Sequence, residues 1–257
     1  MKHSFLDQYS DRDSPIHRLD PRTKLVASLA FILIVVLIPI VNWQAFVIYL
    51  SLIVALLIIS KLPPLYVLKR SLVIFPFVLM IAIFIPFFKS GEIAGSYNIW
   101  LWRVSISYDG LLILANVVSK AWLCILSLIL LSSTTKFTEL LKGLKRLGMP
   151  RMIVLILSFM YRYIFVLVDE VMRMRQARDS RNFGGARLRQ LKTIGNMIGT
   201  LFIRSYERGE RIYAAMLARG FDGEVRSLQR LNFKKADACF GIAFGLALAS
   251  PAILLLF

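Results

Sequence analysis

Cysteine and histidine are almost missing from this sequence, with two of each in 257 residues. Cys124 and Cys239 both sit in apolar runs, which excludes a disulfide framework and any thiolate metal cage. His3 and His17 both lie near the N-terminus, too few and too isolated for a Ser/His/Asp constellation or an imidazole cluster. No GxxxxGK[ST] loop occurs, so nothing here predicts that the chain hydrolyses nucleotide itself. Acid is scarce as well: 15 Asp and Glu against 32 Lys and Arg, a net charge of +17. Only 18% of residues are charged, against about 25% in an average soluble domain.

What fills the gap is hydrocarbon. Hydrophobic residues make up 58% of the chain, and the mean hydropathy is +0.68. A single soluble core of this size cannot bury so much, which predicts an all-α integral membrane protein. The 36 uncharged residues from Leu25 to Ser60 fit two crossings of a hydrocarbon layer about 30 Å thick, each needing about 20 helical residues. The break between them is expected at 39–44, with Trp43 as an interfacial anchor. Ser71–Phe88 follows as a third span, with Pro76 and Pro86 as sites for kinks. Leu111–Leu131 is the fourth and Ala238–Phe257 the fifth. The intervening segment 89–109 reads as a polar loop with Tyr97, Trp100, Trp102 and Tyr108 as an aromatic belt.

Charge sorts along the chain. Residues 61–70 carry +3, residues 132–151 carry +4 and residues 169–235 carry +8, whereas the loops 39–44 and 86–109 carry zero. Basic loops stay in the cytoplasm, so the N-terminus and the loops after the second and fourth spans are expected there. This alternation also explains the positive charge without nucleic acid. The first 24 residues, with Asp7, Asp11, Asp13 and Asp20, show no signal-peptide pattern. The predicted organisation is an N-terminal cytoplasmic segment (1–24), a four-helix membrane region (25–131), a cytoplasmic insert (132–235) and a C-terminal span (236–257).

Residues 152–168 are apolar too, but Arg162 lies near their middle, and a crossing there would place the +8 segment outside. They are read as the buried half of a long cytoplasmic helix that starts near Pro150, a favourable first helical residue, and runs to about Asp179; the weaker alternative is a complete crossing that returns through Ile194–Ile203, where about ten apolar-leaning residues are too few to span. Before it, Lys136–Leu147 is a basic amphipathic helix that ends at Gly148. After it, a turn at 182–185 leads to a second long helix, about 187–219, with Leu191, Ile194, Ile198, Leu201, Ile212 and Met216 on one stripe. Both long helices end in Ala-Arg: Ala177-Arg178-Asp179 and Ala218-Arg219-Gly220. Ala permits close approach of a neighbouring backbone, Arg offers a planar fork for a carboxylate, and Gly220 or Gly223 suits a left-handed cap.

With these residues in view, the chain resembles the transmembrane T component (EcfT) of energy-coupling-factor (ECF) ABC transporters, and most of all the CbiQ cobalt-transport type. The resemblance rests on Ser14-Pro15-Ile16-His17-Arg18-Leu19-Asp20-Pro21-Arg22-Thr23-Lys24, on Leu144–Pro150 after Thr134-Thr135, and above all on Glu207–Arg211 followed by Ala215–Glu224. Ala177-Arg178 departs from the pattern, having Asp179 where the family has Gly. The resemblance implies two cytoplasmic ATPase subunits, which bind the ATP, and a separate substrate-binding S component in the membrane, with cobalt or nickel as cargo. It implies that Ala177, Arg178, Asp179, Ala218, Arg219 and Gly220 are the positions that couple to the ATPases. It also implies a non-catalytic chain, without cofactor or metal of its own, in the cell (cytoplasmic) membrane.

Three further residues are candidates for contact with the substrate subunit. Lys120 stands almost at the centre of the fourth span, where charge is costly. It either faces that subunit or turns into a polar helix interface. Gly241 and Gly245 form a GxxxG in the last span, either for packing within the chain or as a sliding face. The competing readings are a self-contained secondary transporter, which should show broken helices and charged midplane sites, and a membrane enzyme, which should show clustered polar residues.

Overall fold

The structure is a computed structural model, and it describes residues 12–38, 43–85, 93–99, 102–181, 187–223 and 233–254. It is predominantly helical. The helices are α1 (Pro21–Leu37), α2 (Trp43–Ile59), α3 (Pro64–Ala82), α4 (Tyr108–Thr134), α5 (Phe137–Arg146), α6 (Arg151–Ser180), α7 (Arg187–Ala218) and α8 (Lys235–Leu254). Among the described residues, α3, α4 and α6 are long and apolar enough to cross a membrane, and α2 is a shorter apolar helix (Gln44–Ile59). Of the break expected at 39–44, residues 39–42 lie outside the described residues and Trp43 and Gln44 begin α2; the turn at 182–185 also lies outside them.

The helical reading needs one addition. Strands β1 (Ile93–Ile99) and β2 (Trp102–Ser107) pair antiparallel between α3 and α4, with Ile99 opposite Trp102 and a register irregularity between Ile93 and Gly95. The segment expected to be a polar loop therefore closes its backbone hydrogen bonds as a hairpin. Val104 and Ile106 alternate with polar residues there, the two-residue period of a strand.

Residues 4–143 together with 231–257 form one compact unit, and residues 144–230 another. In the first unit, α4 is the central helix, packed against by α1, α2 and α3, while α8 lies against α1 and α2. The core joins Phe31 and Val35 of α1, Tyr49 and Ile53 of α2, Leu123, Leu126 and Ile129 of α4, and Phe244 and Leu248 of α8. Phe31 meets the Tyr49 ring edge-on at 5.8 Å, and the Tyr49 hydroxyl donates to the Leu248 carbonyl at 3.1 Å. Outward faces are hydrocarbon: Val73 is 68% exposed and Ile81 69% on α3, surface that only lipid or a partner covers.

Several serine hydroxyls in these helices are closed locally, as hydrocarbon favours, whereas the buried Asn116 amide and Ser133 hydroxyl of α4 have no hydrogen-bond partner among the described residues. Ser28, Ser71, Ser119 and Ser132 donate back to carbonyls three or four residues earlier. Pro251 has no N–H for the Ala247 carbonyl, and the Ser250 hydroxyl donates to that oxygen at 2.9 Å instead.

A clasp ties the ends of the first unit. Asp20 caps α1, accepting from the Arg22 N–H at 2.9 Å, and Pro21 occupies the first helical turn. Lys24 is buried and donates to the carbonyls of His17 and Thr134, both at 3.0 Å, the latter at the end of α4. Lys120 of α4 returns the contact at the other end of α1, donating to Val36 O at 2.9 Å and Ile38 O at 2.6 Å. The two helices run antiparallel, and each holds the other's terminal carbonyls with an ammonium.

In the second unit, α6 is a single 30-residue helix and α7 a 32-residue one. The expectation that 152–168 are buried needs correcting: Val154 is the one residue of α6 buried in the chain. Met152, Ile156, Met160 and Ile164 form an exposed apolar stripe, surface that lipid or a partner rather than this chain covers.

Candidate functional site

The second unit carries both predicted tips. At the end of α7, the Gly220 N–H donates to Leu217 O at 3.0 Å and the Phe221 N–H to Met216 O at 3.1 Å. Gly220 has φ +74°. These are the two bonds and the left-handed residue of a Schellman cap, so glycine is demanded there by backbone sterics. Arg219 is exposed and has no side-chain hydrogen bond or ion pair among the described residues.

The α6 tip differs. Arg178 Nε and Nη2 donate to Asp179 Oδ1 at 3.0 and 2.8 Å, and Arg175 Nε lies 3.7 Å from Asp179 Oδ2. The helix ends on Arg181, at φ −84° and ψ 13°, without a left-handed residue. Where Gly would leave Arg178 unengaged, Asp179 occupies its fork.

Glu170 and Arg204 link the two long helices, a pair 34 residues apart that the sequence reading passed over. Arg204 Nη1 donates to Glu170 Oε1 at 2.5 Å, and Arg173 Nη2 to Glu170 Oε2 at 2.8 Å. The Glu170 side chain is only 15% exposed. The guanidinium of Arg204, then that of Arg173, holds its carboxyl below the usual carboxylate range. A groove of about 300 Å³ continues from this pair, lined by Phe159, Tyr163 and Leu167 of α6 and by Arg208, Ile212 and Met216 of α7. Residues before Glu170 thus face residues after Arg204, so α6 and α7 cross antiparallel. Arg178 lies eight residues past the pair on α6 and Arg219 fifteen past it on α7, on opposite sides of the crossing.

The remaining candidates lie in the first unit. Lys120 is engaged with the end of α1, as described, and this favours the helix-interface alternative for it. Gly241 and Gly245 are exposed on α8, and a Cβ at either would meet nothing within 4 Å. The packed stripe of α8 is instead Asp237, Phe240, Phe244 and Leu248. Asp237 is 2% exposed although the sequence makes it look interfacial. Among the described residues, no group of three or more His, Cys, Asp or Glu could hold a metal ion.

Residues 12–230 match the CbiQ family, described as cobalt transport protein. The chain belongs to this family. Relatives bear the same stamp. The energy-coupling factor transporter transmembrane protein EcfT of Listeria innocua is 31% identical over 256 residues, 95% of each chain. The Lactococcus lactis EcfT is 28% identical over 87% of this chain and 86% of its own. A putative fused cobalt transport protein, CbiMQ, of Methanocorpusculum labreanum is 28% identical over 86% of this chain and 38% of its own length. This CbiQ-family chain is therefore a transmembrane component of EcfT type and a multi-pass membrane protein. The matched residues include the Asp20–Lys24 clasp and both Ala-Arg tips, and they end before α8.

Proposed function

We propose that this chain is the scaffold and coupling subunit of an ECF-type ABC importer, without catalysis of its own. In this reading, α6 and α7 are the cytoplasmic coupling helices, and Arg178 and Arg219, with Ala177, Asp179, Ala218 and Gly220, dock into grooves on two ATPase subunits that bind and hydrolyse ATP. Nucleotide-driven closure of the ATPases shifts the tips, and the membrane unit passes that displacement to a separate substrate-binding membrane subunit. The N-terminus is cytoplasmic, which puts the segments carrying +3, +4 and +8 on one side. Cobalt or nickel is the cargo, held by the other subunit, because imidazole and thiolate clusters are what such ions require.

The observation that carries this reading is the α7 tip: an unengaged guanidinium at the end of a 32-residue helix, set by a glycine cap. A carboxylate pairs with such a fork through two parallel hydrogen bonds, and the fork keeps its charge on partial desolvation. The secondary-transporter alternative depends on Lys120 as its intramembrane charge, and that ammonium is already held by two carbonyls. Arg219→Glu tests the proposal. The expected result is membrane insertion as in the wild type, with loss of ATPase co-purification and of cobalt or nickel uptake. Unaltered capture of the ATPases would remove the docking role from this tip.

A further inference from the structure

We propose that Glu170 is a positioning residue that fixes the crossing of α6 and α7, so that displacement of one tip is delivered to the other; this rests on the docking role proposed for the tips. Each carboxylate oxygen of Glu170 accepts from its own guanidinium, one from the opposite helix and one from its own. That arrangement holds the carboxylate from two directions, and it sits at the one ionic link between the helices among the described residues. Beside it, packing is incomplete: a groove of about 300 Å³ is lined by Phe159 and Tyr163 of α6 and by Ile212 and Met216 of α7. Close packing normally fixes a crossing angle through ridges and grooves. Where packing leaves a void, the directional ion pair sets the angle.

The lever lengths make the angle matter. At 1.5 Å per residue, the Arg178 tip is about 12 Å from the pair and the Arg219 tip about 22 Å. A change of about 10° at the crossing therefore moves the tips by about 2 and 4 Å on these lengths, enough to break a hydrogen-bonded fork. Because the helices are antiparallel, the tips swing on opposite sides of the pivot, as two separate docking partners require. Glu170→Gln keeps the volume but removes the charge, and it leaves Arg173 and Arg204 facing one another. Glu170→Arg reverses the contact, and Glu170→Arg with Arg204→Glu restores it in the opposite sense.

The test uses the full chain in lipid nanodiscs with the ATPases that co-purify with it. Cys124 and Cys239 are replaced by serine, and spin labels are placed at exposed Met172 and Tyr213, each five residues from the nearest docking position. Distances are measured with and without a non-hydrolysable ATP analogue. The wild type is expected to give a narrow distribution that shifts as one population on nucleotide addition. Glu170→Arg should at least double the width and abolish the concerted shift, Glu170→Gln should give an intermediate width, and the charge swap should recover both properties. ATPase capture should stay within twofold of wild type throughout, since each tip still docks. An unchanged width in Glu170→Arg overturns the proposal. A broadened distribution that still shifts as one population reduces Glu170 to a structural role and overturns it too. Failure of the docking reading has a separate signature: Arg219→Glu leaves ATPase capture intact while the distance effects at Glu170 persist.

Discussion

Asp237 Oδ1 accepts a hydrogen bond from the backbone N–H of Asp20 at 2.8 Å, joining the N-termini of α1 and α8 across 217 residues of sequence. Its other oxygen accepts from the Lys234 N–H at 2.7 Å, which caps α8 itself. One carboxylate thus satisfies donors at two helix starts, where each helix leaves its first N–H groups without internal partners. Lys24, one residue before the uncharged run, adds the compensating cation for Asp20, Asp237 and Glu139. The cluster fastens the first and last helices of this unit, α1 and α8, to the end of α4.

Removing Asp237 should therefore cost more than its position at the border of a span implies. Asp237→Ala leaves the buried Asp20 N–H and the part-buried Lys234 N–H unpaired and should destabilise the unit by about 2–4 kcal/mol. Asp237→Asn retains one acceptor and should cost about half as much on the same grounds. Thermal unfolding in detergent checks the order wild type, Asn, Ala. Equal stability of all three would show that the carboxylate does not hold the helices together.

Lys24 gives a pH signature. Burial pulls its ammonium down from 10.5 to about 8, against the attraction of Glu139, Asp237 and Asp20. Below pH 8 both folded and unfolded chains hold the proton, and the cost of burying the charge is constant. Between pH 8 and 10.5 the unfolded chain binds more protons than the folded one, so stability rises with pH, by on the order of 3 kcal/mol. Lys24→Met has no proton to release. The difference in unfolding free energy between wild type and Lys24→Met should grow in favour of the wild type across that window. A difference independent of pH would mean that Lys24 is not desolvated.

Lys120 separates two roles by experiment. As a cap on α1, its replacement by Met should lower stability by about 1–3 kcal/mol, because the carbonyls of Val36 and Ile38 lose their donor in hydrocarbon. Uptake should fall only as far as the stability loss lowers the amount of folded protein. Normal thermal stability combined with loss of the substrate-binding subunit on co-purification would instead assign Lys120 to that interface.

What was legible in the sequence follows from how local the cause is. The uncharged runs give the apolar helices because bilayer thickness acts on consecutive residues. Gly148 and Pro150 mark a helix boundary, and Gly220 a cap, because the left-handed conformation is a one-residue property; Gly148 has φ +102° and Gly220 +74°. The end of α7 at Ala218-Arg219 was legible for the same reason, whereas α6 ends without a left-handed residue. The hairpin was not, since Trp100, Trp102 and Tyr97 read as a belt and overshadowed the two-residue alternation of Val104 and Ile106. Asp237 and the Glu170–Arg204 pair were invisible because each is defined by a partner 217 or 34 residues away. Acidic residues at span ends look solvated until the other helix is placed. The exposure of 152–168 escaped for a related reason: an amphipathic stripe says that something covers it, but not which molecule does.

The α7 cap and the α6 latch lead to opposite expectations for two small substitutions. Gly220→Ala forces a side chain into the left-handed region and should cost the tip about 1–2 kcal/mol, whereas Gly220→Asn should be milder because Asn tolerates that region. The cost falls on one exposed helix end, so amide hydrogen exchange at 215–221 should speed up without a change in global unfolding. Asp179→Asn acts in the other direction. It removes the charge that holds the Arg178 fork at 2.8 Å and leaves that guanidinium available, as Arg219 is. An exposed adjacent pair is worth about 0–1 kcal/mol, so ATPase capture through α6 should strengthen by no more than about fivefold. The gain should be largest at low salt and vanish when Arg178 is also replaced by Ala. A gain that survives loss of Arg178 would locate the effect of Asp179 in direct repulsion of the partner rather than in the latch.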